Sequence, residues 1–223
     1  MSKSSTLIQI NEAVPSESYP VLNCSIQMAS FVCFKTYQRV GLNVYLQMLA
    51  KQIAPFSGTI DYAKPLSIAY IDEEIQLIST LSGLDNLKLA AKYHQLETMK
   101  CIDKRAEQLL KQFNCQRVAN KLPAFMSNLE KRLLLIARAL MLNPDVLFIE
   151  KPFQGLNRYE HNILGDHLIS LLSELKITII CSDTTLGFTK KAAQQIIYCD
   201  DKVFYDYNQW EHFKKNHNEL FTA

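Results

Sequence analysis

Short apolar runs alternate with longer amphipathic stretches along most of this chain, and this alternation constrains the fold more than any other feature. Apolar runs that are bounded by turn residues predict strands. They cover Thr6–Ile10, Val21–Met28, Phe31–Phe34, Ser67–Ile71, Val146–Ile149, Ile177–Cys181 and Gln195–Cys199. Apolar residues at helical spacing predict helices over Leu42–Ile53, Leu84–Leu96, Ile102–Gln112, Leu129–Met141, Tyr159–Leu175 and Thr189–Ala193. Strands that alternate with helices are typical of an α/β fold, so we expect a mostly parallel sheet with helices on its faces.

Two regions depart from this alternation. About the first 70 residues hold several predicted strands with little helix between them, which indicates an antiparallel edge sheet. Residues 74–128 hold helices and no predicted strand, so we expect a helical subdomain inserted between two parts of an α/β core, residues 1–73 and 129–204. The last segment, residues 205–223, is either a docking helix or a plain surface tail, and we favour the tail because chain termini are commonly loosely held.

The charge balance argues against one class of partner. The chain has 24 Lys and Arg against 22 Asp and Glu, a net charge of +2, and no run of like charges that could follow a phosphate backbone. We therefore expect no nucleic-acid partner.

The six cysteines form no CxxC pair and lie mostly among apolar residues, as small core side chains do in a reducing cytosol. We expect neither a disulfide framework nor a metal site.

No segment has the pattern of a membrane anchor. Residues 1–20 contain no apolar core of a signal peptide, and the longest apolar run, Leu133–Leu142, is about half a bilayer span and is interrupted by Arg138. We expect a soluble chain whose membrane contact is peripheral.

Four segments resemble, in order, motifs of the ABC ATPases. The most specific is residues 129–157 (LEKRLLLIARALMLNPDVLFIEKPFQGLN), where a helix ending in ARAL, the turn NP and an apolar strand precede the positions of two acids. Residues 50–60 (AKQIAPFSGTI) resemble the stretch after the family's phosphate-binding helix, residues 67–87 (SIAYIDEEIQLISTLSGLDNL) resemble its Q-loop, and residues 177–183 (ITIICSD) resemble its switch-histidine strand. The resemblance covers about residues 20–200 and implies a P-loop-NTPase-like sheet with an inserted helical lobe.

The phosphate loop is the first motif that departs from the family pattern. The family reads GxxGxGK[ST], because glycines let backbone N–H groups surround phosphates, the lysine neutralises charge and the hydroxyl holds magnesium. The matching residues are TYQRVGLN, which begin at Thr36; Gly41 keeps its glycine, Leu42 stands at the lysine position and Asn43 at the hydroxyl position. Leu42 cannot neutralise a phosphate. Side chains at Thr36 and Arg39 crowd the loop, although Arg39 leaves some residual phosphate binding open.

The positions of the catalytic acids have also changed. The resemblance places Glu150 where the family has the aspartate that orders magnesium, and Lys151 where it has the glutamate that acts on the attacking water. A protonated lysine cannot act as a base, so we expect Lys151 to pair with Glu150 or with an acid of a partner chain. Ser182 stands at the switch-histidine position and Glu73 at the Q-loop glutamine position.

The signature loop, which completes a partner's nucleotide site in this family, reads MSNLE instead of LSGGQ. Asn128 and Leu129 replace both glycines, and Glu130 stands at the glutamine position. A bulky Leu129 blocks the close approach of backbone to phosphate. Ser127 remains, and we expect it to be the N-cap of the helix that follows, although the family position also allows a phosphate contact.

Two further positions are carried over from the family. Asn157 stands where the D-loop has an aspartate, within Gly-Leu-Asn. Tyr19 precedes the second strand and is a candidate for the aromatic ring that stacks on adenine, but a tyrosine there also serves as ordinary packing.

Together these substitutions remove most of the charge-stabilising groups on which phosphoryl transfer depends, whereas the residues that form the fold are kept. The favoured hypothesis is a degenerate cassette, a structural or regulatory pseudo-ATPase without ATP or Mg²⁺ as cofactor. It would bind a transmembrane permease subunit, and a second cassette of its own or another kind, at the cytoplasmic face of the inner membrane. The PF pair in EKPFQGLN is similar to cassettes of bacterial lipid-trafficking ABC systems.

Two other hypotheses stay open. The chain could be an ATP-binding or ATPase subunit with residual nucleotide binding in a heterodimer with a competent cassette. It could also be a free-standing interaction protein on the same fold, because a shared fold does not fix a function.

Overall fold

A computed structural model describes residues 6–37, 40–94, 98–183, 186–200 and 202–221. The strands in these residues are β1 (Thr6–Val14), β2 (Leu22–Gln27), β3 (Phe31–Lys35), β4 (Ser57–Tyr62), β5 (Ile68–Ile71), β6 (Val146–Glu150), β7 (Thr178–Ser182), β8 (Gln195–Cys199) and β9 (Phe204–Tyr207). The α-helices are α1 (Leu42–Leu49), α2 (Gly83–Tyr93), α3 (Met99–Gln112), α4 (Asn128–Leu140), α5 (Arg158–Leu175), α6 (Leu186–Ala192) and α7 (Trp210–Asn216). Short 3₁₀ helices cover Gln116–Val118, Pro123–Phe125 and Asn218–Phe221.

The main sheet has the strand order β5-β6-β7-β3-β8-β9. All neighbouring strands in it are parallel except β9, which runs antiparallel to β8. Strands β3, β6, β7 and β8 are buried along their whole length. Parallel strands covered on both faces are expected to read as continuous apolar runs, which explains why the sequence predicted them well.

Helices cover both faces of this sheet and divide the core in two. One face packs against α1 and the antiparallel sheet, and its buried residues include Phe34, Leu46 and Phe148. The other face packs against α4, α5 and α6, and its apolar cluster continues into α2 and α3 through residues such as Leu87 and Phe113. The fold is therefore α/β with a helical lobe inserted between β5 and β6, as the sequence predicts.

The antiparallel sheet contains β1, β2 and β4 only, in the order β2-β1-β4. The sequence did not predict β4, because SGTIDY is mostly exposed and mixes polar residues with few apolar ones. Gly58 in this strand has a φ of +79°, and a Cβ there would lie 2.2 Å from the carbonyl oxygen of Glu12. A glycine is therefore required where β4 passes the irregular end of β1.

The segment 205–223, expected to be a surface tail, is ordered over its described residues. β9 pairs with β8, and the side chain of Phe213 in α7 is fully buried against Tyr198 and Tyr207. This segment extends the main sheet by one strand and covers its edge.

None of the helices in the described ranges combines the length and the apolar composition that crossing a membrane requires.

Candidate functional site

The residues singled out from the sequence gather at one edge of the main sheet. Strands β3, β5, β6 and β7 are parallel and end at Lys35, Ile71, Glu150 and Ser182. Ligands of open α/β sheets bind beyond the carboxyl ends of such strands. The loop after β3 leads into α1, so Asn43 in the first turn of α1 also faces this edge, where Tyr70 contacts its carbonyl oxygen.

The start of α1 has an apolar side chain at the position of the phosphate-binding lysine. Leu42 is buried in the core, whereas Asn43 is exposed. Gly41 is the N-cap and no side chain caps the helix. Thr36, at the end of β3, is buried. Arg39 lies outside the described residues.

Lys35, which the sequence analysis did not single out, is fully buried at the end of β3. Its ammonium group donates to the backbone carbonyl of Asp183, 2.8 Å away. The contact joins the ends of β3 and β7 beside the phosphate-loop positions. The predicted strand ended at Phe34, because a lysine that follows an apolar run is ordinarily an exposed residue.

Glu150 is buried and its carboxylate is engaged by two groups from the β5 end. The hydroxyl of Tyr70 donates to Oε1 of Glu150, and the backbone N–H of Glu73 donates to Oε2 at 3.2 Å. The Tyr70 hydroxyl also lies 3.5 Å from the carbonyl oxygen of Asn43. Burial, followed by the hydrogen bond and the charge of Glu150, raises the pKa of Tyr70 well above its ordinary value, so the hydroxyl stays protonated.

Lys151 pairs with Glu73 across the site. Its ammonium nitrogen lies 2.5 Å from Oε2 of Glu73. The prediction that Lys151 pairs with Glu150 is therefore wrong within this chain, because Tyr70 and the Glu73 backbone already occupy that carboxylate. The hydrogen bond from Lys151 lowers the pKa of Glu73, and burial raises it by less. The pKa of Glu73 therefore lies below its ordinary value.

Ser182 supports the backbone of Lys151. The Lys151 N–H donates to the Ser182 carbonyl oxygen at 2.9 Å and lies 3.2 Å from its Oγ. Lys151 itself has a left-handed φ of 41°. At the switch-histidine position, the hydroxyl therefore contacts the chain's own backbone.

The signature-loop residues form a capped helix start, as the sequence predicts for Ser127. Ser127 Oγ accepts from the N–H of Glu130 at 3.2 Å, and Glu130 Oε2 accepts from the N–H of Ser127 at 2.7 Å. This reciprocal pair is a capping box. Burial raises the pKa of Glu130, but the Ser127 hydrogen bonds and the charge of Arg117 outweigh it and hold the pKa below its ordinary value. Leu129 is partly buried against the core.

The signature and D-loop positions are connected by a long hydrogen bond, in which the Asn128 side-chain amide donates to the Gly155 carbonyl at 3.4 Å. Asn157 is the N-cap of α5 and accepts from the N–H groups of Tyr159 and Glu160. It thus serves the start of a helix in the position where the family has an aspartate.

Tyr19 lies over the start of α1. Its ring meets Tyr45 edge to face, with centroids 5.7 Å apart, and a Cβ built on Gly41 would lie 3.2 Å from its hydroxyl. Tyr19 therefore packs on Tyr45, and its hydroxyl lies near Gly41 of the phosphate-loop positions.

The structure thus brings Asn43, Glu73, Glu150, Lys151 and Ser182 to one edge, with the residues 127–130 at the start of a separate helix. Besides Lys35, the residue of this edge that sequence reasoning missed is Tyr70. It lies in an apolar strand, and its contact with Glu150 joins residues 80 positions apart, which periodicity does not reveal.

A family model described as ABC transporter matches residues 41–154, just over half of the chain. This chain belongs to the ABC transporter family. The matched residues of this ABC cassette run from Gly41 to Gln154, within the loop that follows β6, and they include the positions of Glu73, Ser127 and Glu150.

Similar proteins with curated names are subunits of transport systems. The glutamate transport ATP-binding protein GluA of Corynebacterium glutamicum is 27% identical over 150 residues, which cover 67% of this chain and 61% of that protein. The zinc import ATP-binding protein ZnuC of Ehrlichia canis is 22% identical over 164 residues, covering 74% and 66%. The chain spans about half to two thirds of the length of the first curated relatives it matches.

Solved structures share the fold over nearly the whole chain. The protein cbiO1 from Clostridium perfringens, part of the ABC transporter complex cbiONQ, has a TM-score of 0.86 at 20% identity and covers 96% of this chain and 92% of that chain. The dimeric bacterial cassette MJ0796 has a TM-score of 0.78 at 20% identity, over 91% and 98%. At these identities the likeness concerns the fold alone.

Proposed function

We propose that this ABC cassette is a structural or regulatory subunit of a membrane transport complex and does not itself hydrolyse ATP. One observation carries the proposal: the charged side chains at the family's catalytic positions are paired with each other and with Tyr70. The ordinary role of these positions requires the same side chains to face a nucleotide, a metal and a water.

The residues do not fit a magnesium–nucleotide complex at the phosphate loop. Leu42 is buried and apolar, so it supplies no charge to a phosphate. The Tyr70 hydroxyl contacts Oε1 of Glu150 and lies 3.5 Å from the carbonyl oxygen of Asn43. It therefore lies between Asn43 and Glu150, the two positions at which the family resemblance predicts magnesium ligands. A cation there would have to displace a protonated hydroxyl from a buried carboxylate.

The residues also do not fit the activation of water. Lys151 carries a positive charge and is held by Glu73, so it offers no base at the position of the family's glutamate. The Ser182 hydroxyl oxygen accepts from the Lys151 backbone N–H at 3.2 Å.

The contribution of this chain to a partner's site is weakened as well. Glu130 places a carboxylate at the N-terminus of α4 and accepts the N–H of Ser127. The N-terminus of a helix attracts anions, and at α4 the carboxylate of Glu130 already provides a negative charge there. A γ-phosphate approaching this turn would meet a like charge and the bulk of Leu129.

The second candidate function is a nucleotide-responsive subunit that binds ATP without hydrolysing it. The observation in its favour is the position of Tyr19, whose hydroxyl would lie 3.2 Å from a Cβ built on Gly41, so that this aromatic residue is near the region where an adenine could stack. The curated relatives, which are named as ATP-binding proteins, also favour it.

The proposed partners are a transmembrane permease subunit and a second cassette, which places the chain at the cytoplasmic face of the membrane. A groove of about 520 Å³ supports this assignment, because its lining mixes apolar residues such as Ile75 and Leu135 with polar and charged ones such as Gln76, Lys131 and Arg132. Such a groove can accept a protein segment.

The test is to purify the tagged full chain from membranes of its native host after mild crosslinking. We expect a permease and a cassette to co-purify, and we expect the isolated chain to release no phosphate from ATP above buffer. The Glu150→Gln variant is the control for contaminating ATPases. Phosphate release by the wild type that is lost in this variant would contradict the proposal, and recovery of soluble proteins alone would favour a free-standing interaction protein.

A further inference from the structure

The segment 72–82, here called the connector, joins β5 to α2 and so links the sheet to the helical lobe. Its first half is tied to the carboxyl end of β6. The N–H of Glu73 donates to Glu150 and its carboxylate binds Lys151. Tyr70 lies in β5, two residues before the connector, and donates to the carboxylate of Glu150.

The second half of the connector is tied to the lobe by one buried side chain. Asn86 in α2 is fully buried and accepts from the N–H of Ile78 at 2.7 Å. Its amide group also donates to the carbonyl oxygens of Ile78, Leu81 and Ser82, at 3.0, 3.0 and 3.1 Å. One amide thus holds both ends of residues 78–82.

The lobe has a second attachment to the core at the far end of α3. The ring of Phe113 stacks on His167 of α5 with centroids 5.2 Å apart, and Gln112 donates to Glu174 at 2.7 Å. Besides the connector and this α3–α5 contact, α2 and α3 pack on α4 in one apolar cluster, and Arg105 of α3 donates to the carbonyl oxygen of Leu140 at 2.6 Å. The connector is the attachment that lies next to the carboxyl end of β6.

We propose that the connector is a built-in clamp, in which Tyr70, Glu73 and Lys151 hold the helical lobe in one orientation on the sheet without a bound ligand. The clamp rests on the proposed function, because it gives these side chains a mechanical role in place of a catalytic one. Polar contacts tie Glu73, near the start of the connector, to β6, and Asn86 ties residues 78–82, at its other end, to α2. None of these contacts requires a ligand.

The experiment measures the orientation of the lobe by spin-label distances. Cys101, in the first turn of α3, is exposed, and the five other cysteines are buried. A second label is placed at the exposed Glu211 of α7 by Glu211→Cys. We expect a single narrow distance distribution for the otherwise wild-type chain without nucleotide, and the same distribution after Mg–ATP is added.

Three variants open the clamp: Lys151→Met, Glu73→Gln and their combination. Each should broaden the distance distribution and raise amide exchange in residues 72–77 about fivefold, the factor expected for loss of a partly exposed ion pair. The double variant should exceed the single variants little, because both remove one interaction. Tyr70→Phe should give a larger increase, since it leaves a buried carboxylate short of a donor.

Lys64→Met is the matched control. The Lys64–Asp145 pair has side-chain exposures of 52% and 32%, against 50% and 33% for Lys151–Glu73, and Asp145 lies at the opposite end of β6. We expect this variant to leave the lobe distance unchanged. Unchanged distances and exchange in all the clamp variants, or an equal change in the control, would overturn the clamp. A wild-type distance that shifts on addition of Mg–ATP would instead contradict the proposed function.

Discussion

At the scale of single residues, the proposed function depends on which groups hydrogen-bond to the buried carboxylate of Glu150. Glu150 is 4% exposed, and burying such a group is costly unless hydrogen bonds replace its hydration. Tyr70 and the backbone of Glu73 supply those bonds. The chain therefore stabilises internally the side chain that stands at the position predicted for metal binding.

Removing the Tyr70 hydroxyl should expose this dependence. We expect Tyr70→Phe to lower the free energy of unfolding by about 1–3 kcal/mol, because the variant keeps the ring and leaves Glu150 without its donor. Urea denaturation at pH 7 measures the loss. Tyr159→Phe, at a tyrosine that is 73% exposed, is the control and should change stability by less than about 0.5 kcal/mol. Equal effects of the two variants would show that the Tyr70 hydroxyl does not stabilise Glu150.

The Glu73–Lys151 pair predicts a pH dependence with a defined sign. Because the folded chain lowers the pKa of Glu73, the folded state binds this proton less readily than the unfolded state, whose glutamates titrate near ~4.3. The stability from this pair is present above that pH and is lost as the pH falls through the lower, folded value.

We therefore expect the stability difference between wild type and Lys151→Met to shrink as the pH falls below about 4.3. Urea midpoints measured at steps from neutral to acidic pH give this difference. Lys214→Met, at an exposed lysine of α7, should give a curve parallel to that of the wild type. A difference for Lys151→Met that stays constant with pH would argue against the pair.

These contacts could be predicted only in part from the sequence. It placed Glu73, Glu150, Lys151 and Ser182 at one site through the family resemblance. It paired Lys151 with the wrong acid, because the choice between Glu73 and Glu150 depends on Tyr70. Tyr70 lies near Glu150 only because β5 and β6 are neighbouring strands of the sheet.

At the scale of elements, buried strands were the easiest to predict and exposed ones the hardest. β6 and β7 lie within one or two residues of their predicted bounds, because continuous apolar runs mark them. β4 escaped prediction because its residues are largely exposed and polar, and β9 because it is only four residues long and no residue in it is fully buried. α1 ends at Leu49, earlier than predicted, and Lys51 just beyond it has a left-handed φ of 62°.

The C-terminal element offers a direct stability prediction. Phe213 is fully buried between α7 and the β8–β9 edge, so Phe213→Ala should cost about 3–5 kcal/mol in free energy of unfolding. Thermal or urea denaturation measures the cost. The exposed neighbour His212, changed to alanine, is the control and should have an effect below about 0.5 kcal/mol. A negligible effect of Phe213→Ala would restore the interpretation of this segment as a surface tail.

At the scale of the whole molecule, the chain has the fold of an ABC cassette, and the side chains at the predicted catalytic positions contact partners within the chain. The sheet, the lobe and the covering helices agree with cassette structures over more than nine tenths of the chain. A shared fold does not determine function, and here the individual contacts of the site carry the functional argument.

The most direct test of this account is a calorimetric titration of the purified chain with ATP in the presence of Mg²⁺. The account predicts no saturable heat at ATP concentrations up to about 1 mM, the upper range of usual enzyme–substrate affinities. Saturable, magnesium-dependent binding at micromolar ATP would contradict it, because Leu42 would then not prevent phosphate binding and Tyr70 would have to leave Glu150.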